Sequence, residues 1–201
     1  MTVAIPCNLR HNEWILCVPG PKLTSPEFMQ LSAENRDLRL EMTAAGAVLV
    51  KEKQGGMHGH RSFNLTGRFG NWAEAEGSGM AFGADTGFTL PNSAVRAPDL
   101  SWIKLERWEA LSEAEKNSFA PLCPEFVAII RCWSDPLPAL QEQMQEYIEN
   151  GAQLGWLIDP LEKKVHVYRP GAPVEILDNP SEVSGEPLLP GFVLKLAGIL
   201  D

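Results

Sequence analysis

The chain has 201 residues, 44% of them hydrophobic, enough to bury one sizeable core without requiring a second domain, and a single domain with its core at about residues 25–195 is expected. Asp and Glu outnumber Lys and Arg by 26 to 17, a formal net charge of -9, which excludes wrapping of a long duplex by a broadly basic surface but leaves room for a small cationic cleft. Leu194 to Leu200 is too short to cross a bilayer, Met1 to Pro6 has neither a basic start nor a long apolar run, and Cys7, Cys17, Cys123 and Cys132 form no CxxC pair, so a cytoplasmic protein is expected, with no membrane partner, disulfide or structural zinc site.

In chain order, residues 25–35 read as a short helix started by Ser25 or Pro26, with Phe28, Met29 and Leu31 on one apolar side. Residues 39–41 and 47–51 read as two strands around an Ala45-Gly46 turn. Gln54-Gly55-Gly56 is expected to be a flexible turn before a helix over 60–74, packed through Phe63, Leu65 and Phe69 and weakened by Gly67 and Gly70. Met80-Ala81-Phe82, Gly87-Phe88-Thr89-Leu90 and residues 95–102 are short apolar pieces broken by turn formers, which predicts strands and sets Asp99 on or beside one. A helix is expected over 108–118. Residues 126–130, Phe-Val-Ala-Ile-Ile, form a continuous apolar run suited to the centre of a sheet.

The clearest helix covers 139–150, where Leu140, Met144, Tyr147 and Ile148 recur at helical spacing and Gly151 follows as a left-handed stop. Residues 154–158 return as a strand that pairs with 164–168. A helix between two apolar strands predicts a crossover, with 127–130 and 154–158 as neighbours in one sheet. The tail over 174–196 adds short strands, and no internal repeat is evident.

Taken alone, Asp99 after Pro98 is either a metal ligand or a turn residue, and Asp159 before Pro160 reads as a strand-ending turn residue. His58 and His60 in Gly56-Met57-His58-Gly59-His60 form a two-ligand set on a glycine-rich loop, more often plain loop residues than a transition-metal site. Glu142 and Glu146 read as a solvated helix face. No nucleophile elbow accompanies any serine, and Gly77-Ser78-Gly79 is too short for a phosphate loop.

Several motifs together carry a resemblance: Asn35-Arg36-Asp37-Leu38-Arg39-Leu40-Glu41, Thr86-Gly87-Phe88-Thr89-Leu90-Pro91-Asn92, Arg96-Ala97-Pro98-Asp99, Ser134-Asp135, and Gln145-Glu146-Tyr147-Ile148-Glu149-Asn150-Gly151 running on to Trp156-Leu157-Ile158-Asp159-Pro160. On these the chain resembles the Uma-two family of restriction-endonuclease-like proteins, common in cyanobacteria. The resemblance implies a PD-(D/E)XK nuclease fold, a mixed α/β architecture with a central sheet flanked by helices. It also implies carboxylates on adjacent strands that hold Mg2+ or Mn2+ at a scissile phosphate.

By the same resemblance Asp99 is the first metal carboxylate, Glu41 a second candidate ligand at the end of an early strand, and Arg131 the basic residue of the motif. Relatives carry a Glu where this chain has Ile129, often a Lys where it has Gln143, and a Pro where it has Trp133. Isoleucine cannot ligate magnesium, and arginine is no ordinary general base near neutral pH. Glu125, roughly 13 Å along the strand from Ile129 at about 3.3 Å per residue, does not replace the missing ligand. Three readings stand open: a catalytically degenerate member of the fold; an active metal-dependent DNA endonuclease with a rearranged site; and a non-catalytic module that binds nucleic acid or protein, with a homodimer through exposed sheet edges as one form.

Overall fold

The computed structural model describes residues 22–51 and 54–201, together with the backbone of a short strand, β1 (Trp14–Leu16). Helix α1 (Ser25–Glu34) starts at Thr24, whose hydroxyl accepts from the Glu27 N–H while the Glu27 carboxylate accepts from the Thr24 N–H, a reciprocal cap. It buries Phe28, whereas Met29, expected on the apolar side, is 39% exposed. Strands β2 (Arg39–Met42) and β3 (Val48–Lys51) form the expected antiparallel pair, closed by Gly46 at φ 87°, a conformation that favours glycine.

Helix α2 (Gly56–Glu76) is the first departure from expectation. It begins at the glycines taken as a flexible turn, so His58 and His60 stand on its first turns and not on a loop. Gly67 and Gly70 do not break it, because Leu65, Phe69 and Ala73 bury one face against the main sheet and tertiary packing outweighs the local glycine cost.

Beyond α2 come β4 (Gly79–Gly83), β5 (Phe88–Thr89), β6 (Val95–Arg96) and β7 (Leu100–Lys104). The single helix expected over 108–118 is two short ones, α3 (Leu105–Glu109) and α4 (Glu113–Lys116). Ser112 interrupts them by forming a capping box with Glu115, which starts a new helix instead of continuing the old. Strand β8 (Phe126–Ile130), helix α5 (Leu137–Glu149), β9 (Leu154–Asp159) and β10 (Lys164–Tyr168) follow as anticipated, with Gly151 at φ 115° just after α5. Then come β11 (Glu175–Asp178), β12 (Glu182–Ser184) and β13 (Val193–Lys195).

The strands make a six-stranded sheet in the order β11-β10-β9-β8-β7-β4, a five-stranded sheet β1-β3-β2-β6-β5 and a β12-β13 ribbon. β8 and β9 are parallel neighbours, Phe126 beside Leu154 through Ile130 beside Ile158, joined by α5 as the crossover. Alternation along β8 separates two cores. Phe126, Ala128 and Ile130 face α2 and the C-terminal segment, while Val127 and Ile129 face α5 through Leu140 and Met144. Helices thus flank both faces of a mixed central sheet. Between β6 and β7 the chain passes from the small sheet into the large one, and Ala97-Pro98-Asp99 is that passage. Among the described residues no helix is long and apolar enough to cross a membrane, and Cys123 and Cys132 are buried free thiols. Cys7 and Cys17 lie outside the described residues.

Candidate functional site

Where the two sheets meet, a cleft of about 50 Å3 is lined by Arg39, Glu41, Lys51, Asp99, Ile129 and Gln143, among others. Three strands, one helix and the passage between the sheets supply these six. Period-two alternation puts Arg39 and Glu41 on one face of β2, and the hairpin register sets Lys51 opposite Arg39. Asp99 arrives from the passage between sheets. One step along the ladder beyond the Leu100–Ala128 pair brings it level with Ile129 on β8, and Gln143 reaches in from α5.

Asp99 is buried. Its Oδ2 accepts a 2.8 Å hydrogen bond from the Ile130 N–H, and its Oδ1 faces His58 Nε2 at 3.6 Å and Arg39 Nη2 at 3.8 Å. Neither ring nitrogen of His58 hydrogen-bonds a described protein group. Glu41 is equally enclosed. Its Oε2 accepts from Arg96 Nη1 at 3.1 Å and Gln143 Nε2 at 3.3 Å, and its Oε1 from the Ala97 N–H at 3.4 Å. Arg96 in turn donates from Nε to Glu146 Oε2 at 2.6 Å. Burial works against the Arg96 charge, but the carboxylates of Glu41 and Glu146 together hold its pKa above the usual value.

Both carboxylates named from the sequence, Asp99 and Glu41, therefore open on one cleft, with Gln143 bonded to one and Ile129 level with the other. Arg131 is not among the residues brought together. It is turned away, donating from Nη1 to the fully buried Asp159 Oδ2 at 2.7 Å and from Nε to the Asp135 carbonyl. Asp159 also accepts from the Leu161 and Glu162 N–H groups, the turn role expected of it. Glu146 departs from the solvated face it was assigned: it is bound by Arg96 and by Asn92 Nδ2 at 2.9 Å, while Glu142 is exposed. Glu125 is occupied elsewhere, by Arg107 and the Lys104 N–H.

The cleft also holds residues that sequence reasoning missed. Asp135 lines it, with Oδ2 accepting from the Cys132 N–H at 2.9 Å. Burial, and then the nearby Asp99 charge, push its pKa up against the opposing effects of that bond and of Lys51. Arg39 and Lys51 were within reach of a sequence argument, since both share the Glu41 face of the hairpin by alternation. His58, weighed from the sequence as a loop residue or a transition-metal ligand, reaches Asp99 because α2 already begins at Gly56. Among the described residues no three His, Cys, Asp or Glu side chains converge to hold a metal ion.

A family model described as "Putative restriction endonuclease", Uma2, matches residues 25–197. The chain belongs to the Uma2 family. It thereby falls within the PD-(D/E)XK restriction-endonuclease-like superfamily, in keeping with its helix-flanked mixed sheet. A crystal structure of a "putative nuclease belonging to DUF820" from Anabaena variabilis ATCC 29413 superposes with a TM-score of 0.76 at 21% identity, over 89% of this chain and 97% of that one. At that identity the likeness speaks to the fold alone. No curated protein matches the chain. In this Uma2 chain the cleft is bounded by the amide of Gln143 and the hydrocarbon of Ile129, and both its deep carboxylates already accept bonds from the protein.

Beyond the cleft a broader groove of about 500 Å3 continues over the small sheet, sharing Arg39, Lys51, Gln54 and Ala97 with it and adding Arg36 and Arg96. With Arg96 held between Glu41 and Glu146, Arg36, Arg39 and Lys51 line this groove against two acidic side chains, Asp37 and Asp85, so its local balance runs opposite to that of the whole chain.

Proposed function

We propose that this chain is a catalytically degenerate nuclease-fold protein that holds nucleic-acid backbone in the cleft and its groove without hydrolysing it. The observation that carries this reading is Ile129. Level with Asp99 at the cleft, it offers methyl groups where metal-assisted hydrolysis needs an oxygen ligand. The remaining donors fit a magnesium ion poorly. Glu41 is neutralised by Arg96 and capped by Gln143, Asp99 is left with one oxygen unbonded to the backbone, and Asp135 already accepts from the Cys132 N–H. Attraction for phosphate comes instead from Arg36, Arg39 and Lys51 along the groove.

Purified protein should show no Mg2+- or Mn2+-dependent cleavage of plasmid or single-stranded DNA, while retarding oligonucleotides at low salt. Losing a ligand that organises the metal removes transition-state stabilisation that groove cations alone do not supply. Wild-type cleavage that disappears in Asp99→Ala would overturn the proposal in favour of an active endonuclease with a rearranged site, for which His58 and Asp135, the neighbours of Asp99, would be the substitute groups. Calorimetric titration with either metal should give no saturable micromolar binding.

A further inference from the structure

Trp133 stands 76% exposed on the loop that leaves β8, while Trp102 and Trp156 are buried in the core. It borders a hollow of about 100 Å3 whose other walls include Arg61, Arg131 and His58, with Met57 (60% exposed) and Leu161 (50% exposed) at the rim. The hollow and the Asp99 cleft adjoin each other. Cys132, the chain neighbour of Trp133, lines both, and His58 spans the distance to Asp99 at 3.6 Å.

We infer that Trp133 is a stacking platform for one unpaired base of a single-stranded nucleic acid whose backbone passes the Asp99 cleft. An exposed aromatic face attracts any base, and guanidinium groups beside it favour the phosphates on either side. Both guanidiniums are held in place. Arg131 is fixed by Asp159 at 2.7 Å and lies 3.7 Å from Glu162, and Arg61 donates from Nη2 to the Asp201 carbonyl at 2.6 Å while its buried Nε has no partner. Arg131 is balanced by Asp159 and Glu162, so Arg61 at this hollow and Arg36, Arg39 and Lys51 in the groove over the small sheet are the cations that, in a chain of net charge -9, favour a polyanion as the occupant. A base in a duplex presents its faces to its neighbours and not to Trp133, so the platform selects single strands.

This inference rests on the nucleic-acid reading of the cleft, and its test separates the two. Anisotropy of a labelled short oligothymidylate, an abasic strand of the same length and a duplex is measured in EDTA with wild type, Trp133→Ala and Trp133→Phe. Trp133→Ala should weaken oligothymidylate binding roughly tenfold, as loss of one base–aromatic stack does. Duplex and abasic-strand binding should not change, and Trp133→Phe should keep most of the single-strand affinity. Equal affinity of wild type and Trp133→Ala for oligothymidylate overturns the platform and leaves backbone binding in the groove standing. Absence of binding to all three ligands overturns both. If Trp133→Ala instead alters the sedimentation behaviour and leaves oligonucleotide affinity untouched, the face is a protein contact and the inference fails.

Discussion

Ile129 is 7% exposed, with part of its surface in the core formed by α5 and the remainder at the cleft. Ile129→Glu combined with Gln143→Lys should therefore restore both an oxygen ligand and a cation, giving saturable Mn2+ binding by calorimetry where wild type gives none. It should also cost about 1–3 kcal/mol of stability in urea melts, since the new carboxylate displaces packed hydrocarbon. Adding Asp99→Ala should abolish the gained metal site; if metal binding persisted, the ions would be held elsewhere. At this scale the sequence was partly legible. The resemblance supplied Asp99, Glu41, Ile129 and Gln143, all of which line the cleft. It also supplied Arg131, but a motif position says nothing of a buried carboxylate such as Asp159 on the neighbouring strand that claims the side chain.

Among the elements, α5 and α2 show why periodicity alone succeeds in one place and fails in another. In α5 the apolar positions Leu140, Met144 and Tyr147 recur at helical spacing, Pro138 sits in the first turn and Gly151 follows the end, so local signals and packing agree. In α2 three internal glycines, Gly59, Gly67 and Gly70, weaken the helix and Gly55 and Gly56 open it, and what sustains it is long-range. Phe69 meets Phe126, Trp72 and Phe192 with ring centroids 5.0 to 5.3 Å apart. Phe69→Ala should accordingly destabilise the protein by about 3–5 kcal/mol, the range for removing a large buried ring, read from the urea midpoint. A loss under about 1 kcal/mol would mean that α2 is not held by this cluster. Because His58 stands on the first turn of α2, the same variant should loosen the approach of His58 to Asp99.

Across the whole molecule, the two sheets are joined covalently by Ala97-Pro98-Asp99 and electrostatically by Arg96. From β6 of the small sheet, this guanidinium binds Glu41 of β2 and Glu146 of α5, which packs on the large sheet. Arg96→Ala strands a buried Glu41 and should cost about 3–5 kcal/mol, the scale for breaking a buried pair by removing one partner. Arg96→Lys should recover only part of it, because an ammonium cannot span two carboxylates as the planar fork does. Chemical denaturation of the three proteins at pH 7 checks this, and a lysine variant as stable as wild type would reduce Arg96 to a simple counter-charge. On the nucleic-acid reading, affinity in the groove should fall with salt along a shallow log–log slope, since each neutralised phosphate displaces counterions and few phosphates are neutralised.

By itself the sequence determined the order of most elements, the parallel β8–α5–β9 unit and the motif positions, because strand and helix periodicities, caps and turn residues act over a few residues and leave their mark in local order. Only the tertiary structure decided which groups share the cleft. Asp99 and Glu41 are 58 residues apart, and Gln143 hydrogen-bonds Glu41 from 102 residues away. Their meeting depends on the chain changing sheets at Pro98 and on α5 crossing over β8, distances that no local pattern encodes. The same long-range packing draws Arg131 to Asp159, leaves Trp133 in solvent and brings His58 to Asp99, so the chemistry of the site belongs to the assembled sheets and not to any one motif.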